Sequence, residues 1–302
     1  MTSPRIFAAA GAVGAVVALG ALAGCGDDEP SAGPPEPTSS SGPASEEPAT
    51  QATDPPTGAT DGGATAVPAY YVGDTPQGPR LYREFTRVAG VDRLVAAAAA
   101  VTTGDPVDPD YRSLWPRGRF ASVATAGGAI EVQLADGGWL EAGSLDAQQA
   151  ELAVQQLVYT LQGALGERLP IRVTYDGAPA ATLLGVPVGD GLRAAPELDV
   201  MALVNVTEPA EGTAVGDGFT ATGRASSFEA TVPWEVLDAS GEVVVEGFAT
   251  AEGWADKLYP WTAEVDVSGL PPGSYTFVAR TDDPSGGEGG GPTEDTKRIT
   301  VR

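Results

Sequence analysis

Between Gly26 and Ala66 the chain contains no Val, Ile, Leu, Met or aromatic residue, and this divides what can fold from what cannot. The stretch carries eight prolines and eight acidic residues without one basic partner. It cannot bury enough apolar surface to offset the entropy of ordering, so it reads as a disordered linker. As a coil it reaches about 35 Å by square-root scaling, and further with proline stiffness and charge repulsion. Apolar patterning begins at Val67 and continues to the end of the chain. The span 67–302 suits two ordinary domains better than one. A seam is expected between Ala180 and Leu198, where Gly and Pro recur, giving domains of 67–190 and 199–302.

Upstream of the linker, Arg5 stands in a short positive start, and Ile6 to Gly24 is almost wholly small and apolar. That is the layout of a secretory signal. By length alone the run also approaches the roughly 20 residues that span a bilayer. The sequence Leu22-Ala23-Gly24-Cys25 resembles the lipobox of bacterial lipoproteins, which favours the signal. The resemblance implies that residues 1–24 are removed and that Cys25 is diacylated through its sulfur. The span 25–66 would then remain as lipidated cysteine and tether. Cys25 is the only cysteine in 302 residues, so no internal disulfide can form. Lipidation accounts for a thiol that would otherwise be free outside the cell. The implied location is the outer face of the plasma membrane, with the lipid as the membrane contact.

With 17 basic and 41 acidic residues the formal net charge is −24. Such a surface repels nucleic acid and anionic headgroups, so no nucleic-acid partner is expected and the acyl chains are left as the anchor. High net charge also keeps an exported protein soluble.

In the first folded region the pattern predicts strands over Val67 to Val72 and Leu81 to Val88. An alanine-rich helix follows from Val91 to Thr102, with Leu94, Val95, Ala98 and Val101 as its apolar stripe. Arg119 to Ala126 and Ala129 to Leu134 read as strands joined by a tight Gly127-Gly128 turn. Ser144 is the expected N-cap of a long helix ending at Leu165, with Leu145, Leu152, Leu157, Leu161 and Leu165 buried and Gly166 as its stop. Leu169 to Tyr175 returns as a strand. These elements make an α+β layer fold. Several of these segments resemble the GerMN domain. They are Ala69-Tyr70-Tyr71-Val72-Gly73-Asp74, Leu81-Tyr82-Arg83-Glu84 and Leu114-Trp115-Pro116, then 153–161 and 171–177. The resemblance implies a role in assembly or sensing, as in spore-germination and sporulation lipoproteins, rather than turnover.

The second region shows no helical pattern. Seven short β-rich runs, the first at Val200 to Val206 and the last at Lys297 to Val301, suggest an immunoglobulin-like β-sandwich. Asp238-Ala239-Ser240-Gly241 and Leu270-Pro271-Pro272-Gly273 are its expected hairpin turns. With no disulfide available, Phe228, Val232, Trp234 and Val236 are expected to supply the packing from one face. The segments 206–209, 223–232 and 234–236 resemble a bacterial immunoglobulin-like domain that follows GerMN in lipoproteins associated with spore germination.

The chain has no histidine, which removes Ser-His and Cys-His catalysis and histidine-ligated zinc. Its two lysines, Lys257 and Lys297, lie near turns or a terminus, poor places for a Ser-Lys dyad. Carboxylates are plentiful, and glycoside hydrolysis needs only two. They are spread over linker, turns and strand faces, however, as solvation alone would place them. Asp105, Asp108 and Asp110 lack the spacing of a calcium loop. Asp282, Asp283, Glu288, Glu294 and Asp295 read as solvated in the same way. Gly286 to Gly291 lacks the lysine of a phosphate loop. No cofactor, metal or catalytic residue is expected. Trp254, Tyr259 and Trp261 could stack on sugars, although core packing explains them more simply. Three classes follow: a non-enzymatic envelope lipoprotein contacting another envelope protein or peptidoglycan, a glycan- or solute-binding receptor, and a carboxylate-dependent wall hydrolase.

Overall fold

A computed structural model describes residues 64–89, 92–283, 286–288 and 290–302. Cys25, the expected signal and residues 25–63 of the expected tether lie outside the described residues, and the last three tether positions, 64–66, already belong to the first strand. The chain enters through a long hairpin of β1 (Ala64–Thr75) and β2 (Gly78–Ala89), in register from Ala64 opposite Ala89 to Thr75 opposite Gly78. Asp92 caps α1 (Arg93–Thr102), its carboxylate accepting from the amides of Leu94 and Val95. Leu94, Ala98 and Val101 point inward as expected, but Val95 is exposed, and Ala97 takes the buried position instead.

β3 (Phe120–Ala126) and β4 (Ala129–Leu134) form the second hairpin. Its turn residues Gly127 and Gly128 both have positive φ, the backbone that a two-residue turn of this hand requires. After a 3-10 turn at Gly137–Leu140 comes α2 (Ala147–Leu165). Its N-cap is Asp146 rather than Ser144. The Asp146 carboxylate accepts from the Gln149 amide at 2.8 Å while the Gln149 side chain accepts from the Asp146 amide at 3.1 Å. This reciprocal pair satisfies two end donors and contributes about 1 kcal/mol. The helix stops at Gly166, whose left-handed φ of 80° a side chain would strain.

The crossover through α2 makes β5 (Ile171–Tyr175) parallel to β4, and β6 (Ala178–Pro179) completes the sheet β3-β4-β5-β6. Ala153, Leu157 and Leu161 of α2 pack with Ile130, Val132, Ile171 and Val173, while Leu145 and Leu165 are only partly buried. The stretch expected as a seam is structured: β7 (Thr182–Leu183) and β8 (Val186–Pro187) make a small hairpin, and α3 (Glu197–Val200) adds one turn. Leu183 and Leu184 are fully buried in the first core, within the expected span 67–190, and Leu192 packs there too, so the α+β half runs slightly past that span.

The second half is a sandwich of immunoglobulin type. Its strands are β9 (Val204–Glu208), β10 (Thr213–Val215), β11 (Gly218–Ala225), β12 (Thr231–Leu237), β13 (Val243–Thr250), β14 (Tyr259–Asp266), β15 (Gly273–Arg280) and β16 (Glu294–Val301). One sheet runs β10-β16-β15-β12-β13 and the other β14-β11-β9. Leu270 to Gly273 therefore carries the chain from one sheet to the other instead of closing a hairpin. Val232, Trp234 and Val236 alternate into the core as expected. Phe228 does not, because it sits in a 3-10 turn ahead of β12 and is exposed. In place of a disulfide, each core tryptophan lies over a glycine. Trp234 faces Gly247 across one strand pair and Trp261 faces Gly223 across another, and a side chain at either glycine would collide with the indole.

The described residues fall within a single compact unit. Two apolar clusters cross from one half to the other. One joins Val72, Leu81, Leu152 and Tyr159 to Met201 and Leu258. The other joins Ala69, Tyr71, Tyr82 and Tyr111 to Ala202. Among the described residues no helix is long and apolar enough to cross a membrane.

Candidate functional site

The three candidate aromatics do not form one surface. Trp261 is 2% exposed and lies in the sandwich core, so it is unavailable to a ligand. Tyr259 is half-buried, with the Lys257 ammonium 4.9 Å from its ring centre and its hydroxyl donating to Asp256. Trp254 is exposed, and its companion is Phe228, edge to face at 5.2 Å between ring centres.

The acidic residues behave less uniformly than solvation predicts. Asp105 and Asp110 are exposed, Asp105 pairing with Arg117 at 2.6 Å and Asp110 accepting from the Thr296 hydroxyl at 2.7 Å. Asp108, between them, is 1% exposed, and Asp295 and Lys297 are each 3% exposed. All three meet where the loop after α1 touches β16. The reason is the strand period: side chains two apart share a face, so Asp295 and Lys297 point the same way as the core residues Ile299 and Val301. Lys297 Nζ donates to Asp108 Oδ2 at 2.6 Å, to Asp295 Oδ1 at 2.7 Å and to the Tyr111 hydroxyl oxygen at 2.7 Å, which uses all three of its protons. Lys297 lies near the terminus as expected but is buried there, and the reading of Asp108 and Asp295 as solvated is corrected.

The surrounding groups complete the cluster. Tyr111 donates its hydroxyl to Asp295 Oδ1 at 2.5 Å. Asp295 Oδ2 accepts from the Val206 amide at 2.6 Å and from Asn205 Nδ2 at 3.1 Å. Asp108 Oδ1 accepts from the Asp110 amide at 2.9 Å. Glu84 on β2 holds the loop from below, accepting from the amides of Val107 and Asp108. Tyr82 stacks on Tyr111 at 4.8 Å and donates its hydroxyl to the Glu294 carbonyl.

Burial raises the Asp108 carboxyl above the usual carboxylate range against the pull of Lys297. Burial also works against the charge on Lys297, but Asp295 and Asp108 more than offset it, and its pKa lies above the ordinary lysine value. The Tyr111 phenol is pushed well up, first by burial and then by Asp295.

Next to it lies an open cleft of about 360 Å³ whose lining includes Thr102, Asp105, Asp108, Tyr111, Arg112 and Trp115. This is at the small end of ligand-site volumes. Its charged rim is already paired internally, Arg112 with Asp74 at 2.7 Å and Arg117 with Asp105. A second crevice at the seam, about 20 Å³, is of the size one water fills. Among the described residues no group of His, Cys, Asp and Glu is arranged to hold a metal ion.

Residues 68–181 match the family described as sporulation and spore germination. Residues 203–288 match the immunoglobulin-like domain of bacterial spore germination. No curated protein sequence matches the chain. Among solved structures, the tandem GerMN domains of the sporulation protein GerM from Bacillus subtilis are similar at 15% identity and a TM-score of 0.36, over 68% of this chain and 62% of that one. CopC from Methylosinus trichosporium OB3b is similar at 24% identity and a TM-score of 0.23, over 32% of this chain and 92% of that one. A lytic polysaccharide monooxygenase from Jonesia denitrificans is similar at 15% identity and a TM-score of 0.22, over 31% and 60%. The two family matches occupy the two halves in order, the sporulation and spore germination family over the α+β half and the immunoglobulin-like domain of bacterial spore germination over the sandwich.

Proposed function

We propose that this protein is a non-catalytic envelope lipoprotein, anchored through Cys25 at the outer face of the plasma membrane, that serves as a scaffold, sensor or assembly factor. Its partner in this reading is another envelope protein or peptidoglycan. One observation carries the non-catalytic part. The two carboxylates that the fold buries together, Asp108 and Asp295, are spanned by Lys297 and almost fully buried. Glycoside hydrolysis needs two carboxyl groups flanking an accessible bond, and this pair is occupied in joining the halves. A second reading, a glycan-binding receptor, is favoured by the exposed Phe228 and Trp254 pair, since aromatic faces stack on sugar rings.

The test uses cells making the wild-type chain or Cys25→Ser, followed by incubation of the purified proteins with cell-wall sacculi. Labelled fatty acid is expected in the wild type and absent from Cys25→Ser, which leaves the membrane fraction. Label that persists in the variant removes the anchor. No soluble wall fragments are expected, and release above a heat-killed control would overturn the non-catalytic reading. Retention on sacculi that drops on Trp254→Ala, with folding unchanged, would shift the balance to the glycan-binding reading.

A further inference from the structure

We infer that Lys297 and Asp108 form a covalent amide bond between their side chains, an intramolecular crosslink tying the first half to the last strand of the second. The two groups lie 189 positions apart in sequence, yet Nζ and Oδ2 are 2.6 Å apart with both side chains almost fully buried. Holding a nucleophile and an acyl carbon together in this way replaces a bimolecular encounter with a local displacement. Asp295 and Asp108 hold the Lys297 proton in place, so the attacking amine arises only by transfer of a proton across the 2.6 Å contact to Asp108. Lys297 Nζ is 4.6 Å from the centre of the Tyr111 ring, and Tyr82 stacks on that ring.

The hydrogen bonds assign the roles. Four donors occupy the oxygens of Asp295: Tyr111, Lys297, the Val206 amide and Asn205. Asp295 is thus the proton carrier rather than the carbon attacked. Asp108 has only Lys297 and the Asp110 amide, and burial favours its protonated, electrophilic form. In the step, the Lys297 ammonium passes one proton to Asp108 Oδ2, which leaves a neutral amine beside a neutral acid. The amine lone pair attacks Asp108 Cγ. Asp295 takes a second proton from the nitrogen and returns it to the departing hydroxyl, which leaves as water. One C–N bond forms, one C–O bond breaks, Asp295 is regenerated, and no oxidant or reductant is needed. Asp108 and Tyr111 also line the 360 Å³ cleft, which gives the released water a way out.

The test is mass spectrometry of the purified full chain, confirmed folded by circular dichroism and digested with an arginine-specific protease. Asp108 falls in the fragment 94–112 and Lys297 in the fragment 281–298. The expected product is one branched peptide joining the two, lighter than their sum by one water. Its tandem spectrum places the link at Asp108 and Lys297. Lys297→Arg abolishes the branched peptide, and Asp295→Asn abolishes it or delays it strongly while both linked residues remain. Two separate linear fragments of unaltered mass from the folded wild type overturn the proposal. So does a water loss confined to one fragment, which would mark a succinimide or a bond from Lys297 to Asp295. Because the deciding measurement is made on the wild type, a variant that fails to fold does not affect it.

Discussion

Tyr71 and Tyr159 show at the level of single residues how burial turns a polar group into a condition on pH. Each hydroxyl is spent on a backbone carbonyl, Tyr71 on Ala100 and Tyr159 on Ala195. Burial pushes each phenol up to about 12. The unfolded chain loses these protons near pH 10, whereas the folded chain keeps them until about 12. The unfolded state therefore holds fewer protons across that window, and stability falls as pH rises through it. The melting temperature is expected to be level up to about pH 10 and then to decline towards 12. In Tyr71→Phe that decline should be shallower. Thermal melts across the alkaline range, read with the tyrosinate absorbance, check this. An equally steep decline in the variant would contradict the assignment for Tyr71.

At the level of elements, α2 does more than cover a sheet. Gln156, in the middle of the helix and fully buried, accepts from the Leu114 amide at 3.2 Å and donates to the Ser113 hydroxyl at 3.1 Å. One turn earlier, the Ala153 carbonyl accepts from Trp115 Nε1 at 2.7 Å. The helix thus holds the loop that leads from the buried Asp108 and Tyr111 to β3. Gln156→Leu keeps the volume but takes the acceptor from the half-buried Leu114 amide, a cost of about 1 kcal/mol, while the Ser113 hydroxyl keeps the Val101 carbonyl at 2.6 Å. Urea unfolding should show a lower midpoint with an unchanged slope. A wild-type midpoint would mean that the loop finds other partners. The helix could be located from sequence because its apolar spacing and Gly166 are local signals. Gln156 could not be singled out, because its importance depends on a loop some forty residues away.

For the whole molecule, the question is whether the halves act as one body. Each has its own apolar core, which by sequence argues for two independently folding domains. Against that stand two shared apolar clusters and the buried ions at the seam. Separating the halves would expose Leu81, Met201 and the other apolar residues of both shared clusters to water, a loss of several kcal/mol. Calorimetry of the full chain is therefore expected to show one cooperative unfolding transition. Two resolved transitions would show that the seam is a loose contact. With the Lys297–Asp108 bond in place, both halves remain joined after unfolding and should refold together.

The sequence by itself determined the α+β half followed by the β-sandwich, most strand and helix positions, and the absence of histidine chemistry. These are legible because hydrophobic period, turn glycines and helix stops act over a few residues. The families were legible for the same reason, since their motifs are short and ordered. Tertiary structure alone decided that Leu192, past the expected end of the first half, packs into its core, and that Phe228 is exposed and Trp261 buried. It also decided the seam cluster. The alternation along β16 could have placed Asp295 and Lys297 on the inward face, but charges there look solvated until the residue across from them is known. That residue, Asp108, comes from a loop whose own neighbours are exposed acids, and only the folded chain brings it to the lysine. Local propensity fixes elements, but the burial of a charge depends on a distant partner that compensates it.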